Sequence, residues 1–179
     1  MPTTKEGCTI KKFLIICVVM IAPALYADEA DINVVFHNFP WGTSMEEFTA
    51  RMGRPVYVEE YDGLQSLVYD NIMVSGYPVF MLAYFSGNGL EGGTYYFHTF
   101  SFDELTQCFI KVQRELLALY GPTTVSTTFS DGIFREMRPY ETIWDLPGGY
   151  VYLKVNTREN EPVMLWYSSP SLTKKIMGP

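Results

Sequence analysis

The sequence predicts an α+β fold made of two tandem units, each a helix followed by an antiparallel meander, with the sheets packed on one face by the helices. Three observations carry this. Thr43-Ser44-Met45-Glu46-Glu47 and Ser101-Phe102-Asp103-Glu104 are both helix-start signals that open an apolar stripe. Both stripes stop at a glycine with a proline close behind, in Gly53-Arg54-Pro55 and Gly121-Pro122. Short β-branched and aromatic runs follow each helix, too closely spaced for the crossovers that parallel pairing needs.

The chain opens with the three parts of a secretory signal peptide. Lys5, Lys11 and Lys12 precede the apolar run 13–22, and Pro23 precedes Ala24-Leu25-Tyr26-Ala27. Residues 1–27 are therefore expected to direct export to the periplasm or the medium, with cleavage after Ala27. An uncleaved anchor is the alternative, although the run is shorter than the roughly 20 residues of a membrane span. Neither Cys8 nor Cys17 follows the small residue that lipid attachment requires. The expected organisation is 1–27 signal peptide, 28–100 first unit and 101–179 second unit, the two units forming one compact domain.

In the first unit, Met45, Phe48 and Met52 mark the buried side of a short helix, and Trp41 is expected to pack back on it. Strands are predicted at 56–61, 67–71, 78–85 and 94–100. In the second, Leu105, Cys108, Phe109, Val112, Leu116 and Leu119 repeat at three- and four-residue steps up to about Tyr120. Strands follow at 124–129, 141–145, 150–155 and 162–168, divided by turn-forming clusters such as Pro147-Gly148-Gly149.

Charge and cysteine content exclude several functions. Loss of Lys5, Lys11, Lys12 and Glu6 with the leader takes the net charge from −7 to −9. Such a surface repels phosphate backbones, so nucleic acid is excluded as a partner, and no stable membrane insertion is expected after cleavage. Cys108 alone remains of three cysteines, and a single thiol cannot form an internal disulfide. Its place on the apolar stripe reads as core.

Pro40-Trp41-Gly42-Thr43-Ser44-Met45-Glu46-Glu47 with Met52-Gly53-Arg54-Pro55, and Leu119-Tyr120-Gly121-Pro122 in the second unit, resemble helix boundaries recurring in small exported bacterial domains of unknown function. The tandem layout is similar to the β-lactamase-inhibitory protein, and each half to the SmpA/OmlA lipoprotein domain. The resemblance covers roughly residues 39–168 and implies binding through a sheet face without catalysis. This chain lacks the paired cysteines of the first family and the lipid anchor of the second.

No catalytic, cofactor or metal pattern survives inspection. Gly87-Asn88-Gly89-Leu90-Glu91-Gly92 matches a dinucleotide-binding fingerprint in letters, but a strand-like run follows where a helix should hold the pyrophosphate. These glycines read as a hairpin loop. His37 and His98 lie in separate segments, neither at ligand spacing from another His or Cys. Glu59 and Glu60, as neighbours in a strand, point to opposite faces and cannot cooperate as acid and base.

The last hairpin shows a usable surface. Alternation puts Val151, Leu153 and Val155 on one face, with Tyr150, Tyr152 and Lys154 on the other. In the partner strand Val163 and Leu165 oppose Met164 and Trp166. The aliphatic faces belong to the core, leaving Tyr150, Tyr152, Lys154, Met164 and Trp166 facing away from the helix, with Trp144 as a possible addition. Tyr, Trp and Met favour protein interfaces because they bury large area at low rotamer cost. The expected function is an exported, non-enzymatic module that binds a protein partner through an open sheet face. A carrier of small apolar ligands and an unrecognised envelope hydrolase are the alternatives, and intramolecular cover of this face by the other unit is the competing structural reading.

Overall fold

The computed structural model describes residues 34–61, 63–98, 101–126, 140–155 and 162–178, all within a compact unit that begins at Asp31. The predicted signal peptide, the end of the strand expected at 124–129 and the turn at 156–161 lie outside the described residues. The fold is α+β. Its elements run α1 (Met45–Met52), β1 (Tyr57–Tyr61), β2 (Leu64–Val74), β3 (Tyr77–Ser86), β4 (Gly89–Phe97), α2 (Phe102–Tyr120), β5 (Val125–Ser126), β6 (Tyr140–Leu146), β7 (Gly149–Val155), β8 (Val163–Ser168) and α3 (Pro170–Met177).

The eight strands form a single sheet in the order β1-β2-β3-β4-β8-β7-β6-β5, with every pairing antiparallel. The two runs of strands lie side by side and meet where β4 pairs with β8, Tyr95 opposite Leu165. They do not stack face to face, so neither covers the other.

Local chemistry explains the first two helices. The Ser44 hydroxyl accepts the Glu47 N–H at 3.1 Å, and Gly53, at φ +85°, ends α1 by donating its N–H to Thr49. The Ser101 hydroxyl accepts the Glu104 N–H at 3.2 Å, and Gly121 ends α2 in the same manner. Leu105, Cys108, Phe109, Val112 and Leu116 are buried as expected, but Leu119 is 65 % exposed. Tyr120 takes the last buried turn instead, its ring 6.4 Å from that of Trp144.

Both helices and the segment 34–41 pack on one face of the sheet. Phe48 of α1 meets Tyr69 and Phe85, while the α2 residues join Met81, Tyr95, Phe97, Val151, Leu153 and Leu165 in the same core cluster. His37 and Asn38 both adopt positive φ in a tight turn that bridges Phe36 to Phe39, and Phe36 stacks on Tyr95 at 4.9 Å. Half-buried Trp41 packs against the core cluster that includes Phe48 of α1. Its indole N–H donates to the Gly148 carbonyl at 2.8 Å, tying the segment before α1 to the β6–β7 turn.

The opposite face is not bare. α3, which the sequence reading did not anticipate, lies against it. Ser169 caps the helix by accepting the Leu172 N–H at 3.1 Å, Pro170 opens its first turn and Gly178 closes it. Adjacent glycines in β4 let both faces approach. A methyl on Gly92 would stand 2.7 Å from the Leu172 side chain of α3, and one on Gly93 would collide with the Phe36 ring on the other side. The fingerprint-like glycines thus serve packing. Gly87-Asn88 forms the two-residue turn between β3 and β4, and strand, not helix, follows.

Candidate functional site

The register places the residues of the α3-side face without ambiguity. Tyr152 pairs with Trp166 and Lys154 with Met164, while Leu153 and Leu165, paired between them, enter the core. On β4, Thr94 pairs with Trp166 and Tyr96 with Met164. On β6, Ile143 pairs with Tyr152 and Glu141 with Lys154. Tyr150, Tyr152, Lys154, Met164 and Trp166 therefore share the face turned away from α1 and α2.

Trp144 does not join them. It pairs with Val151, is fully buried on the α2 side, and donates its indole N–H to the Gly121 carbonyl at 3.1 Å. The reason is parity: Trp144 sits an odd number of steps from Ile143 and Glu141, so the pairing that sends those two to the α3 face sends Trp144 to the core.

α3 roofs part of this face and leaves a cleft of about 510 Å³ between itself and the sheet. Tyr150, Tyr152, Trp166, Met164 and Ile143 form most of the floor, and Ile176 and Met177 of α3 form a wall. Tyr150 is 7 % exposed. Its ring meets Trp166 edge-on at 5.6 Å and Tyr152 at 6.4 Å, so the three rings are one assembly. Ile176 and Met177 are 58 % and 60 % exposed.

The cleft has an acidic wall. Glu141 lines it, and the Tyr152 hydroxyl hydrogen-bonds that carboxylate. Burial, together with the bond and charge of Glu141, pushes the Tyr152 phenol far up. Tyr150 is also raised, first by burial and then by the charges of Asp145 and Glu141.

Beyond the cleft the same face continues through the half-buried Phe80, Leu82, Tyr84 and Tyr96. Tyr84 lies 2.9 Å from the Thr94 hydroxyl, and burial pushes its phenol up to about 12 against the opposing effect of that bond. His98 rests on the Phe80 ring at 5.3 Å, outside the cleft.

α3 is held over the face by a polar clamp that sequence reasoning missed. Glu91 is 7 % exposed and accepts from the hydroxyls of Ser169 at 2.5 Å, Ser86 at 3.0 Å and Ser171. Its main-chain carbonyl accepts the Ser169 N–H at 2.7 Å. Burial pushes the Glu91 carboxyl up, but bonds from Ser169, Ser171, Ser86 and Asn88 together outweigh it and hold the group below its ordinary value. The signal was present in the sequence, where Ser169-Pro170-Ser171 is a helix start with proline in the first turn.

Two further reactive side chains lie on the core side of the sheet. Cys108 is fully buried and its thiol is pushed up to about 12, chiefly by burial, so little nucleophilic thiolate forms. His37 lies 3.0 Å from the Tyr95 hydroxyl on the core side, its basicity lowered by burial and then by Arg51. Among the described residues, no group of three or more His, Cys, Asp or Glu side chains could hold a metal ion, and no helix is long and apolar enough to cross a membrane.

No protein-family model matches the chain, and no curated protein matches it. Solved structures show a distant likeness. An extracellular protein containing an SCP domain from Bacillus anthracis aligns with 73 % of this chain and 44 % of its own, at 11 % identity and TM-score 0.41. A DUF4309 family protein from Bacillus subtilis aligns with 70 % of this chain and 78 % of its own, at 12 % identity and TM-score 0.44. A cysteine-rich secretory protein from Staphylococcus aureus aligns with 76 % of this chain and 45 % of its own, at 11 % identity and TM-score 0.44. The chain thus spans less than half the length of the first and third of these.

Proposed function

We propose that this chain is an exported, non-enzymatic module that binds a protein partner through the α3-side face of its sheet. One observation carries the reading: a continuous aromatic surface surrounds a cleft of about 510 Å³ that the chain's own helix borders without filling. Aromatic and Met side chains around a concavity are the composition of interface centres. Export rests on the leader-like residues 1–27, and localisation is periplasmic or secreted. In this reading the order helix, four strands, helix, four strands is a tandem of two similar units, as in the β-lactamase-inhibitory protein and SmpA/OmlA-type domains, and the shared sheet widens the binding face.

The test is capture of partner proteins from the producing cell's envelope by the immobilised chain lacking residues 1–27, compared with a Tyr152→Ala/Trp166→Ala variant of unchanged thermal unfolding. Proteins retained by the first and lost by the second support the reading. Equal retention by both would place binding elsewhere.

A carrier of small apolar ligands is the second reading. The cleft volume favours it, since ligand pockets commonly measure roughly 300–1,000 Å³. Mass spectrometry of an organic extract of the purified protein separates the two, because a carrier co-purifies with a stoichiometric small molecule.

A further inference from the structure

The geometry points to an alkylammonium cation as the group this cleft takes up, presented as a lysine side chain by the protein partner. The inference rests on the protein-binding reading above and adds the chemistry of what is bound. Two independent features carry it. The first is the ring assembly: Trp166 and Tyr152, directly paired across β7 and β8, flank Tyr150, whose ring touches both. Aromatic faces attract cations through their quadrupole, Trp most strongly, and clustered rings form cages for ammonium groups. The second is the sign of the charge around the rings. Glu141 lines the cleft and receives the Tyr152 hydroxyl, and Asp145 stands opposite Tyr150 in the register. Burial first, and then these carboxylates, raises both phenols, and the same negative charge would stabilise an incoming cation.

Lys154 stands opposite Glu141 and Met164 in the register, so an incoming ammonium adds to the partners that Glu141 already has and does not meet an unpartnered charge. A lysine suits the remaining walls as well. Its four-carbon stem can lie along Ile143, Met164, Ile176 and Met177 while the ammonium meets the rings. The net charge of −9 without residues 1–27 attracts a basic segment of a partner from a distance.

The experiment is a titration by NMR of the chain lacking residues 1–27 with N-acetyl-lysine methylamide and, separately, with its norleucine counterpart, which keeps the stem and loses the charge. The expected result is binding of the lysine compound at least about fivefold tighter, with the Trp166 indole resonance shifting, and weakening as salt is raised. Glu141→Gln should reduce lysine binding severalfold and leave norleucine binding unchanged, without touching the core. Trp166→Leu should abolish the preference. Equal binding of the two compounds, or binding of neither, would overturn the ammonium assignment. That outcome stays separate from the partner-capture test, because a face that retains proteins but prefers norleucine is an apolar docking surface, whereas one that retains none is not a docking surface at all.

Discussion

Replacing Glu91 with alanine should detach α3 from the sheet while leaving the sheet intact. The carboxylate accepts three serine hydroxyls, from Ser169, Ser171 and Ser86. A hydrogen bond to a charged group contributes roughly 1.5–3 kcal/mol. The three do not add fully. Ser171 is exposed and Ser86 half-buried, so water replaces much of their loss, whereas Ser169 is 4 % exposed and would lose its carboxylate acceptor where water does not reach, keeping only the Leu172 N–H and the Ser171 hydroxyl as partners. A net loss of about 2–4 kcal/mol follows. Apolar anchoring of α3 is modest by comparison: Leu172 is its buried residue, and burying one leucine gives roughly 1.5–3 kcal/mol. The clamp is therefore a major part of what holds the helix. Native-state hydrogen exchange is the assay. Amides late in α3 should lose roughly 30- to 700-fold of their protection, the range set by about 1.4 kcal/mol per tenfold, while β3, β4 and β8 change little. Equal loss of protection in sheet and helix would refute the reasoning, since it would make Glu91 part of the global core. Acid should act in the same direction. The folded carboxyl sits below its ordinary value, so the clamp's contribution is complete above the usual carboxylate range and is lost as pH falls through the depressed value. Protection of α3 should stay level from neutrality down to about pH 5 and decline below it.

Other consequences can be checked on the same protein. Trp144→Ala should destabilise the fold by about 3–5 kcal/mol in denaturant unfolding, because a fully buried indole and its bond to Gly121 are both removed. Gly93→Ala should cost about 1–3 kcal/mol, since the added methyl collides with Phe36. Gly87→Ala, where a methyl meets nothing, is the control. Cys108 should resist a thiol-alkylating reagent in native protein near neutral pH and react promptly after denaturation, as expected of a buried thiol raised to about 12.

Elements with local signals were legible in the sequence. The α1 and α2 boundaries follow from serine caps and closing glycines, and the split of the last hairpin into an aliphatic and an aromatic flank follows from the two-residue period of a strand. What escaped depends on pairings between distant segments. Nothing near Trp144 says that it stands opposite Val151, and that pairing alone decides which face it joins. The union of β4 with β8 joins segments some seventy residues apart, so the side-by-side arrangement of the two meanders could not be separated from a stacked one. Leu119 fits the helical stripe by spacing, yet the stripe drifts and Tyr120 reaches the core in its place. α3 was overlooked for a different reason. Its cap chemistry is plain in Ser169-Pro170, but one buried residue, Leu172, makes too short a stripe for periodicity to reveal. The partial cover of the aromatic face and the existence of the cleft both hang on that helix.

Site-specific photo-crosslinking tests the binding face most directly. A photoreactive phenylalanine placed at Met164, on the α3-side face, and in a separate sample at Leu119, 65 % exposed on α2, would be irradiated in the producing cell's envelope extract. A discrete adduct from position 164 that is missing from position 119, and that disappears with Tyr152→Ala/Trp166→Ala, is the predicted result. Adducts from position 119 with none from position 164 would contradict it and move the contact surface to the helical side.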